Sequence, residues 1–283
     1  MENRSRFASL IGPPSLYLIM MFLLPIGVML VYSFRGGISG AAHDTFTLKN
    51  YSDFIANTNF HRLLWRSSLI SMMIAVIATL LAYPLAYFLT FRAGSNRVLL
   101  MTLLIVPTWT SYLLRIFSWK LILGTGGLLN SFLLSIGLIQ TASPILIYSR
   151  PAVIVTLVYV WVPFVALPIF AAMERIDKHL LEAAADLGCK PWQAFLRVTL
   201  PLSLPGIAAG FFFAFIPTLG EFVTPLLVGG ASGAMYGNLI QDQFMRALNW
   251  PMGSVMSLAM LLLVLLLVFI LTRLSSISDL TGF

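Results

Sequence analysis

Residues 181–206 read LEAAADLGCKPWQAFLRVTLPLSLPG, a stretch that gathers Glu182, Asp186, Lys190 and Arg197 and is punctuated by Gly188, Pro191 and Pro201. On both sides the chain is strongly apolar, with YVWVPFVALPIFAAM at 159–173 and GFFFAFIPTL at 210–219. A charged, Gly- and Pro-broken segment between two such runs reads as an elbow between membrane crossings. The rest of the sequence decides whether those crossings exist and on which side the elbow lies.

Hydrophobic residues make up 59% of the 283-residue chain and charged residues 10%, with a mean hydropathy of +0.93. Soluble domains carry roughly 25% charged residues, so this composition excludes them and defines an integral membrane protein. A hydrocarbon core about 30 Å thick takes about 20 apolar residues per helix. Six runs qualify, at 13–34, 64–91, 98–121, 149–171, 204–228 and 252–272. The N-terminal run follows charged residues, as in a secretory signal. It is too long for a signal core and is followed by no small-residue cleavage site, so we read it as an uncleaved first span.

An even number of spans puts both termini on one side. Arg4, Arg6, Arg92, Arg97, Arg175, Lys178, Lys190, Arg197 and Arg273 fall on that side, in short segments where the positive-inside rule is counted. Arg35, Lys49, Arg62, Lys120, Arg150 and Arg246 lie opposite, in longer loops. The sequence therefore predicts cytoplasmic termini and a cytoplasmic elbow. Pro25, Pro84, Pro107, Pro163, Pro168, Pro217 and Pro225 are expected to interrupt the first five spans, while the sixth has none. That pattern suits kinked helices lining a pathway with a smooth, lipid-facing last helix. It also suits the general enrichment of proline in membrane helices.

Two short helices account for the elbow. Asp177 caps the first, which runs through KHLLEAAADL and stops at Gly188, a residue suited to the left-handed C-terminal position. Pro191 opens the second, which is expected to end before Pro201. Leu180, Ala184 and Leu187, then Trp192, Phe195, Leu196 and Leu200, give each helix an apolar face. Glu182 and Asp186 share a face four residues apart, a small repulsion that a cationic partner would relieve. Taken alone, this pattern equally fits an amphipathic loop lying on the membrane surface.

The detailed spacing is more specific. Glu182-Ala183-Ala184, three residues, Gly188, nine residues, then Val198-Thr199-Leu200-Pro201 resembles the EAA loop of ABC importer permeases, with Val198 in place of isoleucine. YPLAYFL (83–89), IVPTWTSYLLRIFSWKLIL (105–123), GLLNSFLL (127–134), YVWVPFVALPI (159–169), IPTLGEFVTPLLVGG (216–230) and NWP (249–251) are similar to the permeases of spermidine/putrescine importers. The resemblance implies an all-α membrane protein with the type I ABC importer permease (MetI-like) fold, forming one permease domain over 1–283. It also implies a cytoplasmic coupling loop at 174–203 in which Glu182, Ala183, Ala184, Asp186, Gly188, Leu200 and Pro201 meet an ATPase. The implied partners are an ATPase subunit dimer that binds the ATP and Mg, a second permease that is a homologous but different chain, and an extracytoplasmic substrate-binding protein. That protein would be received by outer loops 35–63, 122–148 and 229–251. The implied location is the bacterial inner membrane, with polyamine as cargo or, within the same class, another amine-bearing solute such as a zwitterion or aminophosphonate.

The chain itself has no GxxxxGK[ST] phosphate loop, so no ATP chemistry is read in it. Its single cysteine, Cys189, allows no internal disulfide, and no Cys/His cluster suggests a metal or other cofactor. His43, His61 and His179 lie outside the apolar runs, which leaves intramembrane hydrolysis without a base. A secondary transporter or channel would not need the elbow, and neither inverted halves nor a polar filter is visible. Nothing in the chain addresses nucleic acid.

Within the apolar runs Glu221 stands out, since a charge at bilayer depth costs about 2.5–3.5 kcal/mol on insertion scales and normally has a role or a partner. It is either a counter-ion for a passing ammonium, the partner of Arg115, or a residue near the watery outer interface. Trp109, Tyr112 and Arg115 recur every three residues as an aromatic and cationic stripe on span three. Trp109 and Tyr112 are candidates to hold a cation on a ring face, or to anchor the helix at the interface. Arg115 would repel a cation unless Glu221 pairs with it.

Overall fold

The computed structural model describes residues 2–37, 45–143 and 146–280. His43 and parts of the first two outer loops lie outside the described residues. The helices are α1 (Glu2–Ser33), α2 (Lys49–Ala56), α3 (Thr58–Phe91), α4 (Arg97–Ile105), α5 (Tyr112–Leu123), α6 (Leu128–Ser135), α7 (Arg150–Glu174), α8 (Lys178–Asp186), α9 (Pro191–Ala194), α10 (Leu200–Leu219), α11 (Gly230–Gly233), α12 (Tyr236–Met245) and α13 (Trp250–Leu280). Among the described residues six helical stretches are long and apolar enough to cross a membrane. Chain contacts divide the protein into two compact units, residues 1–62 with 239–283, and residues 63–238.

In the first unit α1 packs along α13, and Tyr32 meets Trp250 with ring centroids 5.9 Å apart. The apolar window of α1 has no buried residue, against 22% of that of α13. The first helix of this unit, rather than the last, is therefore the less covered within this chain.

The second unit carries the elbow and the intramembrane acid. On α3, Ser67, Ser71, Ala75, Ala78, Ala82 and Ala86 recur at helical spacing and are buried, a small-residue stripe that lets neighbouring helices approach closely. Closer still is the pairing of α7 with α10. A Cβ at Gly206 would stand 2.5 Å from Ala172 Cβ and 2.6 Å from the Pro168 carbonyl. One at Gly210 would stand 2.9 Å from the Val165 carbonyl. Gly206 and Gly210 form a GxxxG pair, and only hydrogen fits at either position.

Several prolines behave differently from expectation. Helices α1, α3, α7 and α10 run unbroken through Pro25, Pro84, Pro163, Pro168 and Pro217, so these residues remove hydrogen bonds without ending the helix. Breaks fall near the other two, just after Pro107 and a few residues before Pro225. The 98–121 run is not one helix: α4 tightens into a 3₁₀ turn at Val106–Trp109, Thr110 and Ser111 are extended, and α5 starts afresh. Thr108 and Thr110 hydroxyls donate to the Ile105 and Pro107 carbonyls at 2.6 and 2.7 Å, competing with the helical pattern where Pro107 has already weakened it. The apolar stretch long enough to cross here is Tyr112–Ser135. Likewise the 204–228 run stops at Leu219 and resumes after Gly220–Phe222 with Pro225 opening a π-turn to Gly229.

Candidate functional site

The elbow begins one residue pair beyond α7. Asp177 accepts the His179 N–H at 3.0 Å and so caps α8. At the other end Gly188 adopts φ +80°, its N–H bonds the Ala185 carbonyl at 2.8 Å, and the Cys189 N–H reaches the Ala184 carbonyl at 3.0 Å. This pair of bonds is the Schellman stop, which needs a residue at ease in the left-handed region. Glycine is at ease there. Lys190 N–H is closed by Gln193 Oε1 at 2.8 Å, and Pro191 takes the first helical position.

The helix that follows does not end before Pro201. It passes through a π-turn at Phe195–Thr199 directly into α10, so Pro191–Leu219 is one apolar helical stretch of 29 residues. The extra residue of the π-turn resets the hydrogen-bond register. Pro201 lies just past the π-turn inside this continuous stretch, so it removes one backbone donor without ending the helix. Leu200 and Pro201 therefore belong to the root of the fifth crossing rather than to a loop.

On the elbow's outer surface Glu182, Ala183, Asp186 and Gly188 are exposed, and Ala184 is buried at 8%. Glu182 is 3.0 Å from His179 Nδ1. The predicted apolar faces are only partly covered within this chain: Ala184 is buried and Phe195 and Leu200 are half-buried, but Leu180 is 48% exposed, Leu187 86% and Trp192 60%. Glu182 and Asp186 thus lie beside an uncovered apolar rim.

Glu221 sits in the break between α10 and the π-turn. Its Oε1 accepts the Val223 and Thr224 N–H groups at 2.8 and 3.0 Å, and Oε2 accepts the Tyr112 hydroxyl at 2.6 Å. The carboxylate therefore caps the helix restart and binds α5 at once. Tyr112 Oη also lies 3.0 Å from Thr224 Oγ1. Thr224 and Gly237 enclose the break: Thr224 is fully buried, and a Cβ on Gly237 would meet the Gly220 and Glu221 carbonyls at 2.5 and 2.7 Å. Asn238 donates to the Phe222 carbonyl at 2.8 Å. Thr224, Gly237 and Asn238 escaped the sequence reading. Gly220 followed by Pro225 was the available signal, a helix stop and a helix start inside one apolar run.

Among the described residues no salt bridge joins Glu221 to Arg115. Arg115 instead lines a cavity of about 600 Å³ with Leu103, Pro107, Trp119, Val158 and Tyr159, and its Nε is buried without a hydrogen-bond partner among them. Its guanidinium lies 5.9 Å from the Tyr112 ring centroid. Nor is there a Trp109–Tyr112–Arg115 stripe on one helix. Trp109 belongs to the 3₁₀ turn and is 83% exposed, whereas Tyr112 and Arg115 follow the break on α5. Among the described residues no cluster of His, Cys, Asp and Glu suits a metal.

An all-helical, multi-pass membrane chain with broken crossings, an enclosed carboxylate and a rigidly capped elbow has the make-up of a transport permease. The chain belongs to the family of inner membrane components of binding-protein-dependent transport systems, whose model matches residues 4–279. It is 38% identical to the spermidine/putrescine transport system permease protein PotB of Haemophilus influenzae, covering 91% of this chain and 90% of that one. It is 42% identical to PotB of Escherichia coli over 81% and 83% of the two chains. Its fold is that of the permease in a bacterial alginate ABC transporter solved with an alginate-loaded periplasmic protein (TM-score 0.74, 17% identity, 96% of each chain covered). The fold class expected from the sequence holds, and the chain is a permease component rather than an enzyme.

Proposed function

We propose that this chain, acting as one permease domain over 1–283, forms part of the translocation path of an ATP-driven importer of polyamines of the spermidine/putrescine class. The observation that carries the cargo is the likeness, over four-fifths or more of the chain, to permeases named for those cations. The chemistry of Glu221 supports it. A carboxylate offers about four acceptor positions, and three are occupied by Tyr112, Val223 and Thr224. A passing ammonium takes the fourth or displaces the Tyr112 hydroxyl. Either exchange keeps the charge compensated while the cation moves on. Tyr112 adds an acceptor oxygen and a ring face, whereas Trp109 is left as an interfacial anchor.

The energy enters at the elbow. Glu182, Ala183, Ala184, Asp186 and Gly188 form the surface that docks on an ATPase dimer, which binds the ATP and Mg; this chain needs no cofactor. The exposed Leu180 and Leu187 give that surface its apolar contact. Two features suit it to act as a lever: the Schellman stop fixes α8, and α7 and α10, which flank the elbow, are locked together at Gly206 and Gly210. ATP-driven closure of the dimer then rocks the paired crossings. The remaining assembly is a second, homologous permease and a substrate-binding protein that delivers cargo to the outer loops. The setting is a bacterial inner membrane with both termini and the elbow in the cytoplasm.

Reconstitution of the whole complex in proteoliposomes tests the reading. Spermidine or putrescine, presented by the binding protein, should raise ATP hydrolysis and enter the vesicle lumen. Stimulation by an aminophosphonate or another zwitterion, with none by polyamines, would reassign the cargo. A chain that carries solute without any bound ATPase would reject the class.

A further inference from the structure

The π-turn at the root of the fifth crossing does more than reset the hydrogen-bond register. Its first residue, Phe195, lies edge-on to two tyrosines of α3, with ring centroids 5.8 Å from Tyr83 and 5.8 Å from Tyr87 and planes at 86° and 77°. Tyr83 and Tyr87 are four residues apart and so share one helix face. The Phe195 ring is therefore a wedge between two successive rungs of α3. Its neighbours Leu196 and Arg197 are exposed on the other side of the turn.

A polar tie lies beside the wedge. Tyr83 Oη is 3.1 Å from Ser203 Oγ, and Ser203, fully buried, gives its own proton to the Leu200 carbonyl at 2.9 Å. The hydroxyl of Tyr83 must then be the donor to Ser203, because a serine has one proton to give. Phe195 and Ser203 thus grip α3 from the two sides of Leu200 and Pro201.

The gripped turn of α3 is its weakest. Pro84 stands between the two tyrosines, carries no N–H, and leaves the carbonyl four residues earlier, that of Leu80, without its helical donor. A helix bends most readily at such a position. A lateral push on Tyr83 and Tyr87 is therefore a push at the one turn of α3 built to yield.

We propose that Phe195 is the positioning residue that carries movement of the elbow into α3, bending the second crossing at Pro84 as the fifth crossing tilts. The proposal rests on the elbow being the ATPase-coupling segment, and it assigns Phe195 to transmission rather than to docking. The π-turn gives the arrangement its logic. One extra residue rotates Phe195 toward α3, while Trp192, Leu196 and Arg197 stay on the exposed side.

The test uses the complete reconstituted complex and reads the number of polyamine molecules moved per ATP hydrolysed. A merely structural contact would lower both rates together and leave that ratio alone. Phe195→Ala should keep the ATPase subunits bound and hydrolysing while the ratio falls by about tenfold, within the usual range of coupling between sites. Phe195→Leu, which keeps an apolar wedge, should recover most of it. Tyr87→Ala removes the same contact from α3 and should reproduce the loss, and the double variant should be no worse than either single one. That second variant keeps the test valid if Phe195→Ala inserts poorly. An unchanged ratio in Tyr87→Ala and Phe195→Ala would overturn the proposal. So would loss of the ATPase subunits from Phe195→Ala, which would make it a docking residue. The docking reading is judged separately, by whether Glu182→Lys releases the ATPase, so the two ideas fail on different observables.

Discussion

Tyr112 and Glu221, 109 residues apart in sequence, are joined by a 2.6 Å hydrogen bond from the phenol to the carboxylate, and the same carboxylate closes two backbone N–H groups of the next helical turn. The acid is thus both a helix cap and an interhelix tie. Separating charge from cap gives the first prediction. Glu221→Gln keeps a carbonyl oxygen for Val223 and Thr224 but removes the charge, so the complex should still assemble, with a smaller loss of stability than Glu221→Ala, while polyamine uptake falls by about tenfold or more. Glu221→Ala loses the cap as well and should lower the melting temperature of the purified complex. Wild-type uptake by Glu221→Gln would make the residue structural.

Tyr112→Phe tests the other half of the tie. It leaves Oε2 of a partly enclosed carboxylate short of one charge-assisted hydrogen bond, a loss of about 1.5–3 kcal/mol. Thermal unfolding of the purified chain should report it, and Thr224→Ala should report a smaller one.

At the elbow, Gly188 adopts φ +80°, a conformation that costs other L-residues about 1–2 kcal/mol and that proline cannot adopt. Gly188→Pro should leave membrane insertion intact and abolish stimulation of the ATPase, while Gly188→Asn should retain most of it. Equal stimulation in Gly188→Pro would show that the Schellman stop is dispensable.

Gly206→Val sets a side chain against Ala172 Cβ and the Pro168 carbonyl, where even a methyl would come within 2.6 Å. Overpacking of this kind costs about 1–3 kcal/mol, and melting of the detergent-solubilised protein should drop accordingly. Glu174→Gln makes a useful contrast. Its 2.7 Å bond to Arg97 joins two side chains that are more than 40% exposed, and such pairs are worth at most about 1 kcal/mol. Melting should barely change.

What could be read in the sequence was what local chemistry fixes. Asp177, Gly188 and Pro191 announce a start, a stop and a restart within a few residues, and each is found in that role. Pro201 misled, because a proline reads as a stop, whereas here the helix runs through it just past a π-turn. Hydropathy also joined 98–121 and 204–228 into single spans, although Pro107 with its flanking threonines, and Gly220 with Pro225, carried the breaks. The partner of Glu221 could not be read. Arg115 offered the right charge, but the break before Tyr112 turned a different residue of α5 toward the acid, and only tertiary placement settles such a choice.

The central claim is that the elbow faces the cytoplasm and touches an ATPase, and accessibility of one thiol tests it most directly. In a Cys189→Ser background, Leu187→Cys offers a highly exposed position beside Gly188. The thiol should resist a membrane-impermeant maleimide added outside intact cells, react in inside-out vesicles, and crosslink to the ATPase subunit in the assembled complex. Labelling from outside, or an elbow thiol that finds no ATPase in an active complex, would contradict the account.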